Sequence, residues 1–314
     1  MHDAPPRVSV LMLTHNHGAY LQQAIASVQA QSLQAWELLI GEDGSSDDTG
    51  RIAREAALAD ARIRVFDSPG GALGFHHNFA RLLAASRAPY VAFLEGDDWW
   101  SEPRKLALQL ALLDQDPSLA FCGGRTRVID QRASRSPAAP ESCMGPASIG
   151  PAPGCRRLCL ADLIEAYSFH FSSVLMRRQV VALPDWIYGQ YCLDRPLYLL
   201  AARHGDAGVI EAELSVYRLH GGGAWAPLTP LQKARRSDAL FQAFYRHFPR
   251  FHRRRFHRVL SHIHWSYLAA ALQERQRREA LRILSMAVVA APVLRLLQNP
   301  RLTASALMRI LTVQ

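Results

Sequence analysis

The sequence predicts an α/β fold built on a largely parallel sheet, followed by a helical C-terminal region. Three observations carry that expectation. Short apolar runs of strand length alternate with segments whose apolar residues fall at helical spacing, the pattern of successive βαβ units. One of these runs, Tyr90-Val91-Ala92-Phe93-Leu94, ends in three carboxylates: Glu95, Asp97 and Asp98. From Leu231 onward the strand-like runs give way to basic, helical sequence.

Taken in order, residues 8–13 are a compact apolar run and read as the first strand, stopped by Thr14, His15, Asn16, His17 and Gly18. Residues 20–30 place Leu21, Ile25 and Val28 on one helical face. A second strand over 36–40 runs into the polar stretch 41–49, and a helix follows over 52–58. A short third strand covers 63–66, Gly70 and Gly71 break it, and 75–85 is helical. The fourth strand is 90–94. Glu102 and Pro103 open the next helix, which extends to about Gln115, because proline suits a first helical turn. Residues 121–129 predict another strand, 158–166 a short helix, 172–176 a strand and 193–203 a helix. Residues 207–217 hold two further short strand candidates. Residues 131–156, rich in Pro, Ser, Ala and Gly without periodicity, read as a long variable loop or cover. There is no internal repeat.

A chain of 314 residues with 49% hydrophobic and 20% charged residues is globular in composition, and can hold one large domain with a helical appendage. Its net charge of +9 favours anionic partners: nucleic acid, acidic lipid or phosphorylated substrate. The five cysteines are odd in number and form no C-x-x-C pair, which fits a reduced, cytoplasmic setting. Residues 1–6 are too short and polar for a signal peptide, and no apolar run reaches the length of a membrane span.

The chemistry concentrates at strand ends. Open α/β sheets bind ligands outside the carboxyl ends of their strands, where Glu95, Asp97 and Asp98 are expected. Three acids this close repel one another unless a positive charge sits among them, and hard oxygen ligands suit Mg²⁺ or Mn²⁺ on a substrate phosphate. The plain alternative is a strand end followed by a helix start, with Asp98 as its cap. The turn after the first strand lacks the G-x-G-x-x-G of a dinucleotide-binding unit, so glycines do not cradle phosphates there. After the second strand, Asp43 can accept a hydrogen bond from a ribose hydroxyl or a base N–H, while Ser46 or Asp47 can cap the following helix. The pairs His15/His17 and His76/His77 lack the Cys/His complement of a structural zinc site, and with His170 they are read as ordinary.

Several of these segments together resemble family 2 glycosyltransferases, bacterial enzymes of the GT-A fold. The likeness rests on Leu13-Thr14-His15-Asn16, on residues 42–49 (EDGSSDDT), on Gly74 with Asn78, and on residues 93–100 (FLEGDDWW). It resumes at residues 173–177 (SVLMR), at Asp194-Arg195-Pro196-Leu197 and at residues 215–223 (SVYRLHGGG). It is strong over 8–120 and takes a subgroup pattern over 172–225. The resemblance implies an inverting transfer of sugar from a nucleotide sugar, with these roles. Thr14 and Asn16 line the nucleotide pocket and Asp43 binds the base. Glu95, Gly96 and Asp97 stand at the D-x-D element, with Glu95 where the family more often has Asp. Asp97 holds a divalent ion on the diphosphate. Asn78 either contacts the nucleotide or is purely structural. Asp194 is the base that takes the acceptor's proton; its plain alternative is a helix cap, and Asp185 and then Asp162 are the fallbacks. Arg218 and His220, on one side if their segment is extended, reach the diphosphate and the metal; the plain alternative is a tight turn with a surface His. Trp99, Trp100 and Trp225 either stack on acceptor sugars or simply pack.

The implied cofactor is Mg²⁺ or Mn²⁺. The implied partners are a nucleotide sugar, whose base is read as uridine from the acceptor character of Asp43 although guanine also offers donors, and a glycan or lipid-linked acceptor in envelope polysaccharide synthesis. The domain boundaries expected are 1–228 for the glycosyltransferase domain, with a nucleotide-sugar half at 8–120, the loop at 131–156 and an acceptor half at 158–228, and 229–314 for the basic helical region. That region has two readings: an appendage packed on the domain or on a second subunit of a homodimer, or an interfacial helix pair over 250–314 lying on the inner face of the cytoplasmic membrane. No nucleic-acid motif accompanies its arginines. The rival readings are a sugar nucleotidyltransferase, which usually needs a glycine-rich loop after the first strand that is absent here, and a non-catalytic basic binding protein.

Overall fold

The computed structural model describes residues 5–68, 70–131, 142–144, 156–166, 169–223, 228–274, 276 and 278–283. The chain divides into two compact units, one of Met1–Tyr188 with Cys192–His220, the other of Gly189–Tyr191 with Gly221–Gln314.

The first unit opens with β1 (Val8–Thr14), α1 (Leu21–Gln29), β2 (Trp36–Glu42), α2 (Thr49–Ala59), β3 (Ile63–Phe66), α3 (Phe75–Ala85), β4 (Tyr90–Glu95) and α4 (Lys105–Gln115). It continues with β5 (Leu119–Asp130), β6 (Ser142–Met144), β7 (Arg156–Leu158), α5 (Leu160–Glu165), β8 (Leu175–Arg177), α6 (Asp194–Ala201) and β9 (Asp206–Leu219). Among the described residues these strands form one sheet in the order β3-β2-β1-β4-β8-β5-β9-β7, with β6 paired to β5. The half from β3 to β4 is parallel throughout. Every residue of β1 and β2 is buried, which is why these strands read as mainly apolar runs and not as alternations. Glu37, near the start of β2, is held by the Ser9 hydroxyl at 2.7 Å and by the Arg87 backbone N–H and Nε at 2.8 and 2.9 Å.

The other half is mixed. β8 runs antiparallel between β4 and β5, while β9 runs parallel to β5. Of the expected 172–176 strand only residues 175 and 176 are extended, and the strand runs on to Arg177. The serines ahead of it form a 3-10 turn, Phe171–Ser173, because their hydroxyls take local and cross-chain partners in place of a ladder. The two short strands expected over 207–217 are one strand, β9. Its polar centre is absorbed by an irregularity: Gly124 pairs with Ile210, yet Thr126 already pairs with Ser215.

The second unit contains α7 (Pro230–His247) and α8 (Arg253–Gln273). Thr229 and Gln232 close a capping box on α7, with proline in its first turn. Phe241, Phe244, Phe248 and Phe256 pack together between the two helices, edge to face except for the tilted Phe244–Phe256 pair. No helix among the described residues is long and apolar enough to cross a membrane. Most of the 131–156 loop, Trp225 and the chain beyond Ile283 lie outside the described residues.

Candidate active site

The strand order reverses between β1 and β4: from β1 the chain moves outward to β2, and it returns to β4 on the other side. Such a switch point leaves a crevice at the carboxyl ends of the two strands. Leu13 pairs with Glu95, and the Gly96 N–H donates to the Leu13 carbonyl at 2.9 Å. A side chain at Gly96 has no room, since a Cβ there would lie 2.6 Å from Thr14 Oγ1 and 2.9 Å from His17 Nδ1. Both of those atoms are buried without a hydrogen-bond partner. The turn after β1 is fixed by Asn16 in the left-handed region (φ 56°), a conformation asparagine tolerates. The Asn16 Oδ1 accepts from the Ser46 N–H at 2.9 Å, and Gly18 N–H donates to Asp47 at 2.8 Å, so the loops after β1 and β2 are tied together.

The three acids have different surroundings. Asp98 is fully buried and committed: Oδ2 accepts from Ser172 Oγ at 2.6 Å and Oδ1 from the Arg218 N–H at 3.1 Å. Burial, then the Asp97 charge, push its carboxyl well above the ordinary range against these hydrogen bonds. Glu95 is pushed up likewise, by burial and then by Asp97, Asp98 and Asp194. Asp97 goes the other way. Burial works against its charge, but the hydrogen bond from His220 and the neighbouring imidazoles His17 and His220 outweigh it and hold the carboxyl low. The His220 Nε2 lies 2.9 Å from Asp97 Oδ2, and Arg218 Nε donates to the Asp97 carbonyl at 2.9 Å. The Arg218 guanidinium sits over the rings of Tyr20 and Trp99, at 4.5 and 4.6 Å, and donates to Gln23 at 2.8 Å.

Two donor sets could receive a cation. Glu95, Asp98 and His170 bring ligand atoms within 4.8 Å of one another. Two of its members are closed off: the Asp98 and His170 side chains are 0% and 7% exposed, Asp98 is spent on Ser172 and Arg218, and His170 Nδ1 faces the Ser172 N–H at 3.4 Å. Asp97 and His220 keep 14% and 10% of their side chains open and share one oxygen as their meeting point. A carboxylate and an imidazole with access to solvent fit a divalent ion that must also meet a substrate.

The remaining expected residues fall as follows. Both oxygens of Asp43 hold loop N–H groups, Leu73 at 2.7 Å and Gly74 at 2.9 Å. Asn78 acts as a strut, the structural alternative named for it: its amide donates to the Gly41 carbonyl and its Oδ1 accepts from Arg81 Nε, both at 2.9 Å. Asp194 opens α6, and its charge acts on Glu95 and on His170. The fallbacks are elsewhere engaged or exposed. Asp162 caps α5 through the Cys159 N–H at 2.9 Å, and Asp185 is at the surface. Trp100 is packing, buried with its indole N–H on the Ser172 carbonyl at 2.8 Å. Two of the histidines read as ordinary lie beside these acids. His17 stands beside Asp97 at 3.6 Å, and its place directly after the first strand was the available signal. His170 is buried among Asp98, Tyr217 and the Asp194 charge, and burial lowers its pKa to about 4. No spacing in the sequence announces that.

Residues 9–182 match the model of glycosyl transferase family 2. The chain belongs to that family. A relative, protein Rv1520 of Mycobacterium tuberculosis, is 29% identical over 220 residues, 69% of this chain and 60% of the relative, so the chain spans less than two thirds of that relative's length. Two solved structures share the fold. Staphylococcus aureus TarS in complex with UDP-GlcNAc matches with a TM-score of 0.64 at 14% identity, over 91% of this chain and 82% of that one. The mannosyltransferase PcManGT from Pyrobaculum calidifontis, in complex with GDP-Man and Mn²⁺, matches with a TM-score of 0.60 at 15% identity, over 97% and 81%. At these identities the family 2 chain shares with them the GT-A arrangement of sheet and helices.

Proposed function

We propose that this family 2 protein is an inverting, metal-dependent glycosyltransferase that moves a sugar from a uridine diphosphate donor to a glycan or lipid-linked acceptor, in envelope polysaccharide synthesis. The observation that carries the proposal is Asp97: a carboxylate held ionised at the switch point, with the His220 imidazole on its outer oxygen and the Arg218 guanidinium against its backbone. Asp97 and His220 would hold Mg²⁺ or Mn²⁺, which supplies Lewis-acid stabilisation of a leaving diphosphate. Arg218 adds a fixed positive charge beside the same group. Asp194 takes the proton from the acceptor hydroxyl, a contribution typically worth roughly 10²–10⁴ in rate. Displacement of the diphosphate from the opposite face of the sugar then inverts the anomeric carbon. Asp43, anchored by the Leu73 and Gly74 N–H groups, faces the base N–H, and Thr14 and Asn16 border the same crevice. The complexes of TarS with UDP-GlcNAc and of PcManGT with GDP-Man and Mn²⁺ support a nucleotide-sugar donor and a divalent ion.

The test is a thermal-shift screen of nucleotide sugars with and without Mn²⁺, since a ligand that binds the native state raises the melting point by mass action. The wild-type chain is expected to shift with a UDP-sugar only when Mn²⁺ is present. Asp97→Asn should fold, lose that shift, and lose sugar-nucleotide hydrolysis and transfer. Turnover retained in Asp97→Asn would defeat the metal assignment.

A further inference from the structure

We propose that His17 is a third protein ligand of the divalent ion, making the site a set of two imidazoles and one carboxylate: His17, Asp97 and His220. The proposal rests on the metal-dependent reading above and goes beyond it in naming a ligand from the turn after β1.

The geometry converges on one oxygen. The Nε2 atoms of His220 and His17 lie 2.9 Å and 3.6 Å from the same Asp97 Oδ2. The two rings stand at 84° to one another with centroids 6.4 Å apart, so they approach that oxygen from different sides. Neighbouring ligands around a Mg²⁺- or Mn²⁺-sized ion at about 2.1 Å are separated by roughly 3 Å, close to the spacings found here. His17, Asp97 and His220 keep 18%, 14% and 10% of their side chains exposed, so the three edges open onto the same crevice.

The His17 ring is held in that pose without a hydrogen bond to explain it. Nδ1 is buried and has no partner. The approach of Nε2 to Asp97 at 3.6 Å is too long for a hydrogen bond. Nε2, on the partly open edge of the ring, is therefore the nitrogen left to take a ligand from the crevice. The pose is nevertheless well braced. The His17 N–H donates to Thr49 Oγ1 at 2.8 Å, its carbonyl accepts from the Tyr20 and Leu21 N–H groups at 2.8 and 2.9 Å, and the ring rests on Gly96, where any Cβ would meet Nδ1 at 2.9 Å. Nδ1 is thereby turned toward the backbone and Nε2 toward Asp97. Gly96 is needed because the His17 ring occupies the space of its side chain.

Two imidazoles change the metal preference. Imidazole suits transition ions, whereas Mg²⁺ prefers oxygen ligands, so this set favours Mn²⁺ or Co²⁺ over Mg²⁺.

The experiment is pulsed electron paramagnetic resonance of Mn²⁺ bound to the full chain in the presence of UDP, counting imidazole ¹⁴N couplings, with Mn²⁺ affinity by titration calorimetry alongside. The wild type is expected to show two coupled imidazoles, and His17→Gln and His220→Gln one each. His17→Gln should also lose at least the roughly tenfold in affinity that even outer partners of a metal ligand contribute. Unchanged melting of the apo protein shows that the variant folds, and His17→Asn repeats the test with a smaller side chain. Two couplings retained in folded His17→Gln, or an unaltered affinity, would overturn the proposal. A single coupling in the wild type would also overturn it while leaving the glycosyltransferase reading intact. Nucleotide-sugar turnover by a wild type that binds no Mn²⁺ would overturn it together with the metal dependence.

Discussion

Lys105 is fully buried, with its ammonium 4.1 Å from the Trp100 ring centroid and 2.7 Å from Gln109 Oε1. The same two neighbours serve the site. Trp100 donates to the Ser172 carbonyl, and Gln109 Nε2 donates to the Ser173 carbonyl at 2.9 Å, so this cluster shapes the turn that carries the Asp98 partner Ser172. Burial lowers the Lys105 pKa from 10.5 to about 7. Between those values the unfolded chain keeps a proton that the folded chain has released, so folding stability rises with pH across that window, and the penalty is full below it. Its ceiling is ~5 kcal/mol, the free-energy equivalent of that shift. Lys105→Met should therefore stabilise the protein most near pH 7 and below, less about 1 kcal/mol for the lost Gln109 hydrogen bond. The gain should shrink toward pH 10.5. Urea unfolding at several pH values reads this directly, and a pH-independent gain would show that Lys105 is not charged-state limited. No spacing rule marks this lysine. It sits within the helix read from Glu102 and Pro103 to about Gln115, and only the packing of α4 on the strands reveals its cost.

Between elements, α3 is bolted to β2. Asn78 links them through the Gly41 carbonyl, and Arg81 donates to the Glu42 and Asp67 carbonyls, both at 2.8 Å. Immediately before the helix, Leu73 and Gly74 grip Asp43. Asn78→Ala leaves a buried carbonyl unpaired, at a cost of roughly 1–3 kcal/mol. It should lower the melting temperature while UDP affinity of the folded protein stays near wild type; a large loss of affinity without loss of stability would return Asn78 to the nucleotide pocket. At this scale much was legible beforehand. Each parallel strand announced itself as an apolar run because both its faces are covered, and the acids at the end of β4 announced a strand terminus. The 3-10 turn at Phe171–Ser173 and the joined strand β9 were not legible. Both depend on partners distant in the chain, Asp98 for the turn and β5 for the strand, which a local pattern does not contain. For the same reason Asp97 stood out in the sequence, whereas its neighbour His17 did not.

For the whole molecule, the net charge of +9 and the arginines at 253, 254, 255 and 258 at the start of α8 make attachment to an anionic surface testable. The full chain should sediment with vesicles containing phosphatidylglycerol and not with pure phosphatidylcholine. Binding should weaken as salt rises, since exposed charges are screened beyond about 10 Å at 0.1 M. Truncation after Ser237 should abolish it, and an unchanged vesicle-bound fraction would place the attachment elsewhere or nowhere.

The irregularity in β9 has a consequence for anyone recombining this protein with its relatives. Ahead of it Cys122 faces Gly208, and beyond it Val128 faces Tyr217, so the strand stores three surplus residues in between. Side chains alternate sides along a strand, so an odd surplus reverses which way the tip presents Arg218. A chimera joined within residues 210–215 that trims even one of them would deliver the guanidinium to the wrong side of the sheet, however faithful the grafted tip. The safe seam lies upstream of the slack.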